Sequence, residues 1–282
     1  MSNAKIDVEG DVVSLVAART PIGAMGGGLA SLQADKLATL AIKAVLEQAK
    51  VDPKLIQYTC MGWVMQDPRS PNMAKTAAEF AGVPPESPGC TFHENCASGA
   101  ASVHSLARRI KLGEVDICLA GGVEAMSQVP RYLYAGRNKG QTYGDYTLVD
   151  GVMGALFDAH AGAKGELMGL LSERLTERYG VTREEQDDVA FRSHQNALKA
   201  WKDGYFADYV VPVEIPQRKG DPIKVEKDEG PKDIPRDKFS KPKPYFKKDG
   251  GTITGMNASS INDAGAAVVL ASAAKAKELG LE

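Results

Sequence analysis

Glu-Asn-Cys-Ala-Ser-Gly-Ala, at residues 94–100, lies between a short extended run and a helical pattern. Residues 88–92 predict a strand, and the spacing of apolar side chains over residues 98–112 predicts a helix that stops at Gly113. Cys96 is therefore expected at the turn between a strand and the first turn of a helix. Free backbone N–H groups and the positive end of the helix dipole favour a thiolate over a thiol at such a position.

Two interpretations of Cys96 remain open from the residues alone. As a nucleophile, it would gain from the helix N-terminus and from its small neighbours Ala97, Ser98 and Gly99, which leave room for an acyl group. As a structural residue it would simply be buried, since free cysteine is among the most buried residue types.

Short apolar strands alternate with amphipathic helices along the first part of the chain. Strands are predicted at residues 12–17, 58–64 and 115–120, helices at residues 34–49 and 72–81, and a further core strand at residues 266–271. This alternation is typical of a layered α/β fold.

Two helices are predicted after this alternation ends, at residues 166–179 and 182–202. The second opens with a capping box, in which Thr182 is the N-cap and Glu185 follows three residues later. His194 lies on its apolar face and is interpreted as a packed or hydrogen-bonded histidine rather than a ligand.

A basic stretch follows at residues 217–249, where lysine and arginine outnumber aspartate and glutamate. Such a charge run is either a solvated surface or a local positive field for an anionic ligand. Residues 252–254 then predict a short strand.

The overall composition excludes several classes of function. A formal net charge of −2 argues against nucleic acid as a partner. No apolar run is long enough to predict a membrane span, and no signal peptide is predicted. The four cysteines have no C-x-x-C spacing, so no metal site is predicted. A cytoplasmic location with reduced thiols is expected.

Five motifs, in order along the chain, resemble those of the thiolase family of acyl-CoA acyltransferases. They are ARTPIG at residues 18–23, CASG at 96–99, GGVEAMSQVP at 121–130, TREEQD at 182–187 and NASSIND at 257–263. The resemblance implies an α/β, thiolase-like layered fold with a mixed five-stranded sheet and helices on both faces. It also implies an N-terminal α/β domain at residues 5–123 and 251–282, and an inserted CoA-binding loop domain at residues 124–250.

The resemblance further implies that Cys96 takes an acyl group as a thioester, while 3-ketoacyl-CoA and CoA are interconverted with two acyl-CoA molecules. Coenzyme A and acyl-CoA are then substrates, with no permanently bound cofactor. Four positions match substrate contacts of the family: Met168, Phe246 and Ser259 along the pantetheine arm, and Lys232 near the adenine. Lys232 stands where the family usually has arginine, so the charge is kept and the planar stacking surface is lost.

The second half of the family's fold has no match in these 282 residues. The acid/base cysteine and the Gly-His-Pro histidine belong to that half, so the isolated chain is expected to be inactive. Three hypotheses follow: the N-terminal half of a thiolase, a non-catalytic acyl-CoA-binding or assembly module, and a split enzyme with a separate C-terminal half. A homodimer or tetramer is expected from the resemblance. Residues 66–75 and 191–194 slightly resemble those of degradative 3-ketoacyl-CoA thiolases, which favours a role in fatty acid metabolism.

Overall fold

The computed structural model describes residues 11–134, 143–159 and 165–281. Its strands are β1 (Val12–Arg19), β2 (Gly23–Ala24), β3 (Thr59–Gly62), β4 (Gly89–Phe92), β5 (Ile117–Ala125), β6 (Arg131–Leu133), β7 (Leu148–Asp150), β8 (Phe157–Asp158), β9 (Glu166–Leu167), β10 (Val213–Ile215), β11 (Ile223–Val225) and β12 (Asn262–Ser272). Its helices are α1 (Ala34–Ala49), α2 (Met73–Phe80), α3 (Ser98–Lys111), α4 (Gly151–Ala155), α5 (Met168–Tyr179), α6 (Arg183–Lys202) and α7 (Ala273–Glu278).

The described residues form two compact units. The first contains the described residues up to Gln128, Phe206–Asp228, and the described residues from Asn262 onward. The second contains the described residues of Val129–Tyr205 and Glu229–Ile261. The predicted domain boundaries at residues 123–124 and 250–251 stay a prediction, and residues 5–10, 135–142, 160–164 and 282 of those domains lie outside the described residues.

A mixed sheet forms the centre of the first unit, with the strand order β1-β12-β5-β3-β4. β12 pairs antiparallel with both β1 and β5, whereas β3 pairs parallel with both β4 and β5. The two-residue strand β2 adds a sixth, short member beside β12. The predicted mixed α/β sheet of five strands is confirmed.

Helices cover both faces of this sheet. On one face α1 and α2 contribute apolar side chains such as Leu37, Ile42 and Met73, which are fully buried. On the other face α3 buries Leu106 and Ile110 in a smaller cluster with residues of β3, β5 and β12. Burial of this kind supplies most of the stability of an amphipathic helix.

β5 is longer than its sequence predicts. The apolar run suggests a strand that ends at residue 120, but the observed strand continues through Gly121 and Gly122 to Ala125. The cause is its pairing with β12, which is continuous from Ala271↔Ile117 to Asp263↔Ala125. A full ladder of interstrand hydrogen bonds here outweighs the low strand propensity of glycine.

The strand predicted at residues 252–254 is wrong, because these residues have no strand partner and form an irregular segment. The amides of Thr252 and Ile253 donate instead to the carboxylate of Glu173, and the Thr254 amide donates to Asn257 Oδ1. Buried amides need a partner, and here a carboxylate takes the place of a neighbouring strand.

Candidate active site

Cys96 lies in the connection between β4 and α3, as its sequence predicts. The preceding residue, Asn95, has a φ of 49°, a left-handed conformation that asparagine tolerates better than most residues. The Ser98 hydroxyl donates to the Asn95 carbonyl at 2.6 Å and accepts from the Glu94 amide at 2.9 Å. The turn is thus closed on itself, and Cys96 is exposed at its outside.

The first turn of α3 has no side-chain cap. Its N-cap residue, Ala97, has no hydroxyl or carboxylate to accept a hydrogen bond. Among the residues that the structure describes, the amides of Gly99 and Ala100 have no backbone acceptor. Uncapped amides at a helix N-terminus attract negative charge, so this turn suits a thiolate or a developing oxyanion.

The strands beneath hold the start of α3 closely. A Cβ built on Gly62 of β3 would lie 2.4 Å from the Ser98 carbonyl carbon and 2.5 Å from the Gly99 nitrogen, so only glycine permits this approach. Farther along the helix, the buried Ser102 hydroxyl donates to the Gly121 carbonyl at 2.7 Å. It also accepts from the Gly121 amide at 3.1 Å, so the backbone C=O and N–H groups of Gly121 both join β5 to α3.

Two of the other cysteines differ clearly from Cys96. Cys60 and Cys118 lie in the core between α3 and the sheet. Burial raises the pKa of the Cys60 thiol to about 12, and burial likewise raises the pKa of Cys118 to about 12. Because the thiolate is the reactive form, these two thiols are inert near neutral pH. Cys90 is half-buried in β4.

Glu124, on β5 in the same unit, is a half-buried carboxyl group. Burial raises its pKa to about 7, although the amides of Val64 and Met65 donate to it at 3.1 and 3.3 Å. It therefore titrates in the range where most carboxyl groups are fully ionised. No sequence pattern singled out Glu124 as titratable, because its perturbation depends on burial by distant segments.

One residue from each of three motifs, Thr20, Ser127 and Asp263, is hydrogen-bonded within the first unit. The buried Asp263 carboxylate accepts from the Ser127 amide at 2.8 Å and from the Ser127 hydroxyl at 2.5 Å. The Ser127 hydroxyl in turn accepts from the Gly26 amide at 2.8 Å. Thr20 and Gly265 exchange two further hydrogen bonds, of 2.9 and 3.1 Å. Thr20, Ser127 and Asp263 are thus parts of one hydrogen-bonded framework in the first unit.

Two of the candidate substrate contacts, Met168 and Phe246, come together in the second unit. Met168 is the first residue of α5 and is half exposed. The Phe246 ring lies against the next residue, since a Cβ built on Gly169 would be only 2.3 Å from its Cε2 and Cζ atoms. The two predicted positions therefore form one surface at the start of α5.

The other two candidate contacts are also exposed residues of the second unit. The Lys232 side chain is exposed, and its amide donates to His194 Nδ1 at 3.2 Å. His194 packs edge-on against Phe239, with ring centroids 5.9 Å apart, which agrees with its interpretation as a packed, hydrogen-bonded histidine. Ser259 is exposed at the end of the irregular segment that begins at Thr252.

Two buried carboxylates of the second unit were missed at the level of sequence. Glu173 and Asp187 are only 2% and 1% exposed. The one local signal was Arg183, which stands four residues before Asp187 and binds it with Nε at 2.8 Å. Nothing in the sequence indicates that Glu173 is buried, since its partners lie about eighty residues away.

Within the described residues, no cluster of three or more histidine, cysteine, aspartate or glutamate side chains could hold a metal ion. In the same part of the chain, every helix is too short or too polar to cross a membrane.

Comparison with known proteins adds a family match over most of the chain. Residues 12–274 match the family model of the thiolase N-terminal domain. The acetyl-CoA acetyltransferase of Chromobacterium violaceum is 42% identical over 274 residues, which are 96% of this chain and 69% of that protein. The acetyl-CoA acetyltransferase of Cupriavidus necator is 43% identical over 273 residues, 96% of this chain and 68% of that protein.

Solved structures agree with these relatives. The crystal structure of the Bacillus anthracis acetyl-CoA acetyltransferase superimposes with a TM-score of 0.91 at 40% identity, covering 96% of this chain and 68% of that one. The human mitochondrial 3-ketoacyl-CoA thiolase in complex with CoA gives a TM-score of 0.89 at 32% identity, with 96% and 67% covered. This chain therefore spans about two thirds of the length of the proteins it matches.

Proposed function

This chain belongs to the thiolase family, and from that premise we propose that it supplies the nucleophile and the CoA contacts of an acyl-CoA acyltransferase. Cys96 is the proposed nucleophile. The observation that carries this assignment is its position: Cys96 is exposed at an uncapped helix N-terminus, whereas Cys60 and Cys118 are buried.

In the proposed reaction, the Cys96 thiolate attacks the thioester carbonyl carbon of an acyl-CoA. A new S–C bond forms to Cys96, the S–C bond to CoA breaks, and CoA leaves as a thiolate that then takes a proton. Attacking and leaving thiolates of similar basicity make this exchange readily reversible. In condensation the acyl group passes to the carbanion of a second acyl-CoA, which has lost its α proton, and the Cys96 thiolate leaves. In thiolysis the Cys96 thiolate instead attacks the 3-keto carbon of a 3-ketoacyl-CoA, the C2–C3 bond breaks, the acetyl-CoA carbanion takes a proton, and the acyl group then passes from Cys96 to CoA.

Coenzyme A is the proposed ligand of the second unit. Met168 and Phe246 would contact its pantetheine arm, together with Ser259, while Lys232 and the basic stretch would lie near its phosphates and adenine. The packing of Phe246 on Gly169 supports the first part, since it places a half-buried aromatic ring against the residue next to Met168, which is half exposed. The exposed ammonium group of Lys232 supports the second part.

Turnover is proposed to need a C-terminal half. In these 282 residues no position matches the family's acid/base cysteine or its Gly-His-Pro histidine. Loss of one oxyanion donor alone typically costs about a hundred- to a thousandfold in turnover. The isolated chain is therefore expected to be inactive. A dimer or tetramer is part of the proposal, supported by exposed apolar side chains such as Leu133, Tyr134 and Leu148.

One experiment tests both parts of the proposal. The chain is incubated with acetyl-CoA, and acetylated peptides are identified by mass spectrometry. Thiolysis of acetoacetyl-CoA is measured with the chain alone and with the C-terminal segment of the Cupriavidus necator relative. We expect acetylation of Cys96, no turnover by the chain alone, and turnover by the pair.

Cys96→Ala should abolish both acetylation and turnover, whereas Cys90→Ala should retain them. Turnover that survives Cys96→Ala in the pair would show that the nucleophile is elsewhere. CoA binding without acetylation in either sample would favour a non-catalytic acyl-CoA-binding module.

A further inference from the structure

The segment of residues 252–259 in the second unit, hereafter the serine segment, ends in Ser259 but has no regular secondary structure. It is held instead by the buried carboxylate of Glu173, from α5. This carboxylate accepts from the Thr252 amide at 2.9 Å, from the Thr252 hydroxyl at 2.9 Å and from the Ile253 amide at 2.9 Å. Both of its oxygens are therefore used as acceptors.

A second buried carboxylate holds the other end of the serine segment. Asp187 Oδ1 accepts from Asn257 Nδ2 at 2.9 Å, and Asp187 Oδ2 accepts from Arg183 Nε at 2.8 Å. Asn257 Oδ1 then accepts from the Thr254 amide at 2.8 Å, which closes a tight turn directly before Ser259. This turn is fixed from a helix and not from a neighbouring strand.

The same network reaches Phe246. The Tyr245 amide donates to the Ile253 carbonyl at 2.8 Å, so the serine segment and the strip bearing Phe246 are joined by their backbones. Phe246 packs on Gly169, which lies four residues before Glu173 on α5. Met168, Phe246 and Ser259 are thus connected through Glu173 and its partners.

Burying two carboxylates costs desolvation free energy, because each is removed from water. Apolar side chains of similar size often stabilise a fold equally well. Their benefit is directional, since each oxygen accepts only from donors at set positions. Asp187 is matched by Arg183, whose guanidinium also donates to the Phe239 carbonyl at 2.6 Å. Buried carboxylates with directional hydrogen bonds are expected where the backbone must keep one conformation in order to bind a ligand.

We propose that Glu173 and Asp187 are positioning residues, which hold Ser259 and Phe246 in the arrangement that accepts the pantetheine arm of coenzyme A. The inference rests on the proposed function, because it takes CoA to be the ligand of the second unit. Neither carboxylate touches the ligand, since both are almost fully buried. They act through the serine segment and the backbone bond to Tyr245.

The test uses isosteric amides. In Glu173→Gln, one acceptor oxygen is replaced by an NH₂ group that faces the donors of the serine segment. In Asp187→Asn, the amide nitrogen faces either Asn257 Nδ2 or Arg183 Nε, which are both donors. Matched controls are Glu177→Gln on α5 and Asp188→Asn on α6, whose exposed carboxylates pair with Lys247 and Arg236, respectively.

Dissociation constants are measured by calorimetry for two probes, CoA and adenosine 3′,5′-bisphosphate, which lacks the pantetheine arm. In both network variants we expect the affinity for CoA to fall by about tenfold or more, since a hydrogen bond to a buried charge is lost. The affinity for adenosine 3′,5′-bisphosphate should stay unchanged, and both controls should bind as the unaltered chain does. General unfolding would weaken both probes together, so the split separates positioning from stability.

Thr252→Val serves as a milder variant if the amides fail to fold, because it keeps the Thr252 amide donor and removes only the hydroxyl, which bonds Glu173 and, more weakly at 3.4 Å, the Thr176 hydroxyl. It should weaken CoA binding less than Glu173→Gln and again spare the bisphosphate. Equal CoA affinity in the network variants and the unaltered chain would overturn the inference alone. Failure of the unaltered chain to bind CoA would overturn the proposed CoA site, and the inference with it.

Discussion

Replacing Gly62 by alanine should disturb Cys96, the proposed nucleophile, without contacting it. Gly62 is the last residue of β3 and pairs with Phe92 of β4 and Gly122 of β5. The new methyl group would lie 2.4 Å from the Ser98 carbonyl carbon, 2.5 Å from the Gly99 nitrogen and 2.7 Å from Ser98 Cβ. Most of these atoms belong to the backbone, so the first turn of α3 has to move.

The magnitude follows from the overlap. Ordinary contacts of a Cβ atom begin near 3.4 Å, so relief requires a displacement of about 1 Å at the helix start. Overpacking of this kind costs about 1–3 kcal/mol. The displacement also strains the two hydrogen bonds of the Ser98 hydroxyl, at roughly 1 kcal/mol each. We therefore expect a loss of about 3–5 kcal/mol in the free energy of unfolding.

Urea unfolding measures the loss of stability, and the rate of Cys96 alkylation by iodoacetamide measures the change in the reactivity of the thiol. Gly99→Ala is the matched control on α3, because its Cβ would meet only the Gly121 carbonyl oxygen, at 3.9 Å. The control should keep or slightly raise stability, since alanine favours a helix by about 1 kcal/mol over glycine. An unchanged urea midpoint and an unchanged alkylation rate in Gly62→Ala would refute the idea that β3 supports the turn that carries Cys96.

Three further outcomes are expected. A short iodoacetamide pulse near neutral pH should label Cys96 before Cys60, Cys90 or Cys118, as read by peptide mapping; equal labelling of the four would contradict its assignment as the reactive thiol. Lys232→Glu should weaken CoA binding, and the loss of affinity should become smaller as the salt concentration is raised; an unchanged dissociation constant would favour the interpretation of the basic stretch as a solvated surface. Glu124, whose pKa rises from 4.5 to about 7 on folding, contributes stability that is fully present below about pH 4.5 and is lost as the pH rises through 7. The urea stability of Glu124→Gln relative to the unaltered chain should therefore rise by up to about 3 kcal/mol between pH 5 and pH 8.5; parallel curves would show that Glu124 does not titrate there.

The turn that carries Cys96, between β4 and α3, could be predicted because its sequence signals are local. The predicted strand at residues 88–92 is observed as Gly89–Phe92, and the predicted helix at residues 98–112 is observed as Ser98–Lys111. The capping box of α6 is also confirmed, since the Thr182 hydroxyl accepts from the Glu185 amide at 3.2 Å. Each of these depends on residues within a few positions of one another.

The network around the serine segment could not be predicted, because its partners are far apart in sequence. The pattern Thr252-Ile253-Thr254 has high strand propensity, yet its first two amides donate to a carboxylate from α5 and its third donates to the Asn257 side chain. Nor does any periodicity reveal that Glu173 is buried, since glutamate is ordinarily found at the surface. Long-range pairing decides both points, and a single sequence does not contain it.

Cys96 in the first unit and the serine segment in the second unit are held by different kinds of interaction. Cys96 depends on close backbone packing at Gly62 and on the hydroxyl groups of Ser98 and Ser102, none of which changes charge near neutral pH. The serine segment depends on the hydrogen bonds that it donates to two buried carboxylates. Changes that neutralise these carboxylates should therefore act on ligand affinity, whereas changes in packing beneath α3 should act on the reactivity of the thiol. Affinity and nucleophilicity are consequently separable by substitution in this chain, because they rest on different residues and on different physical interactions.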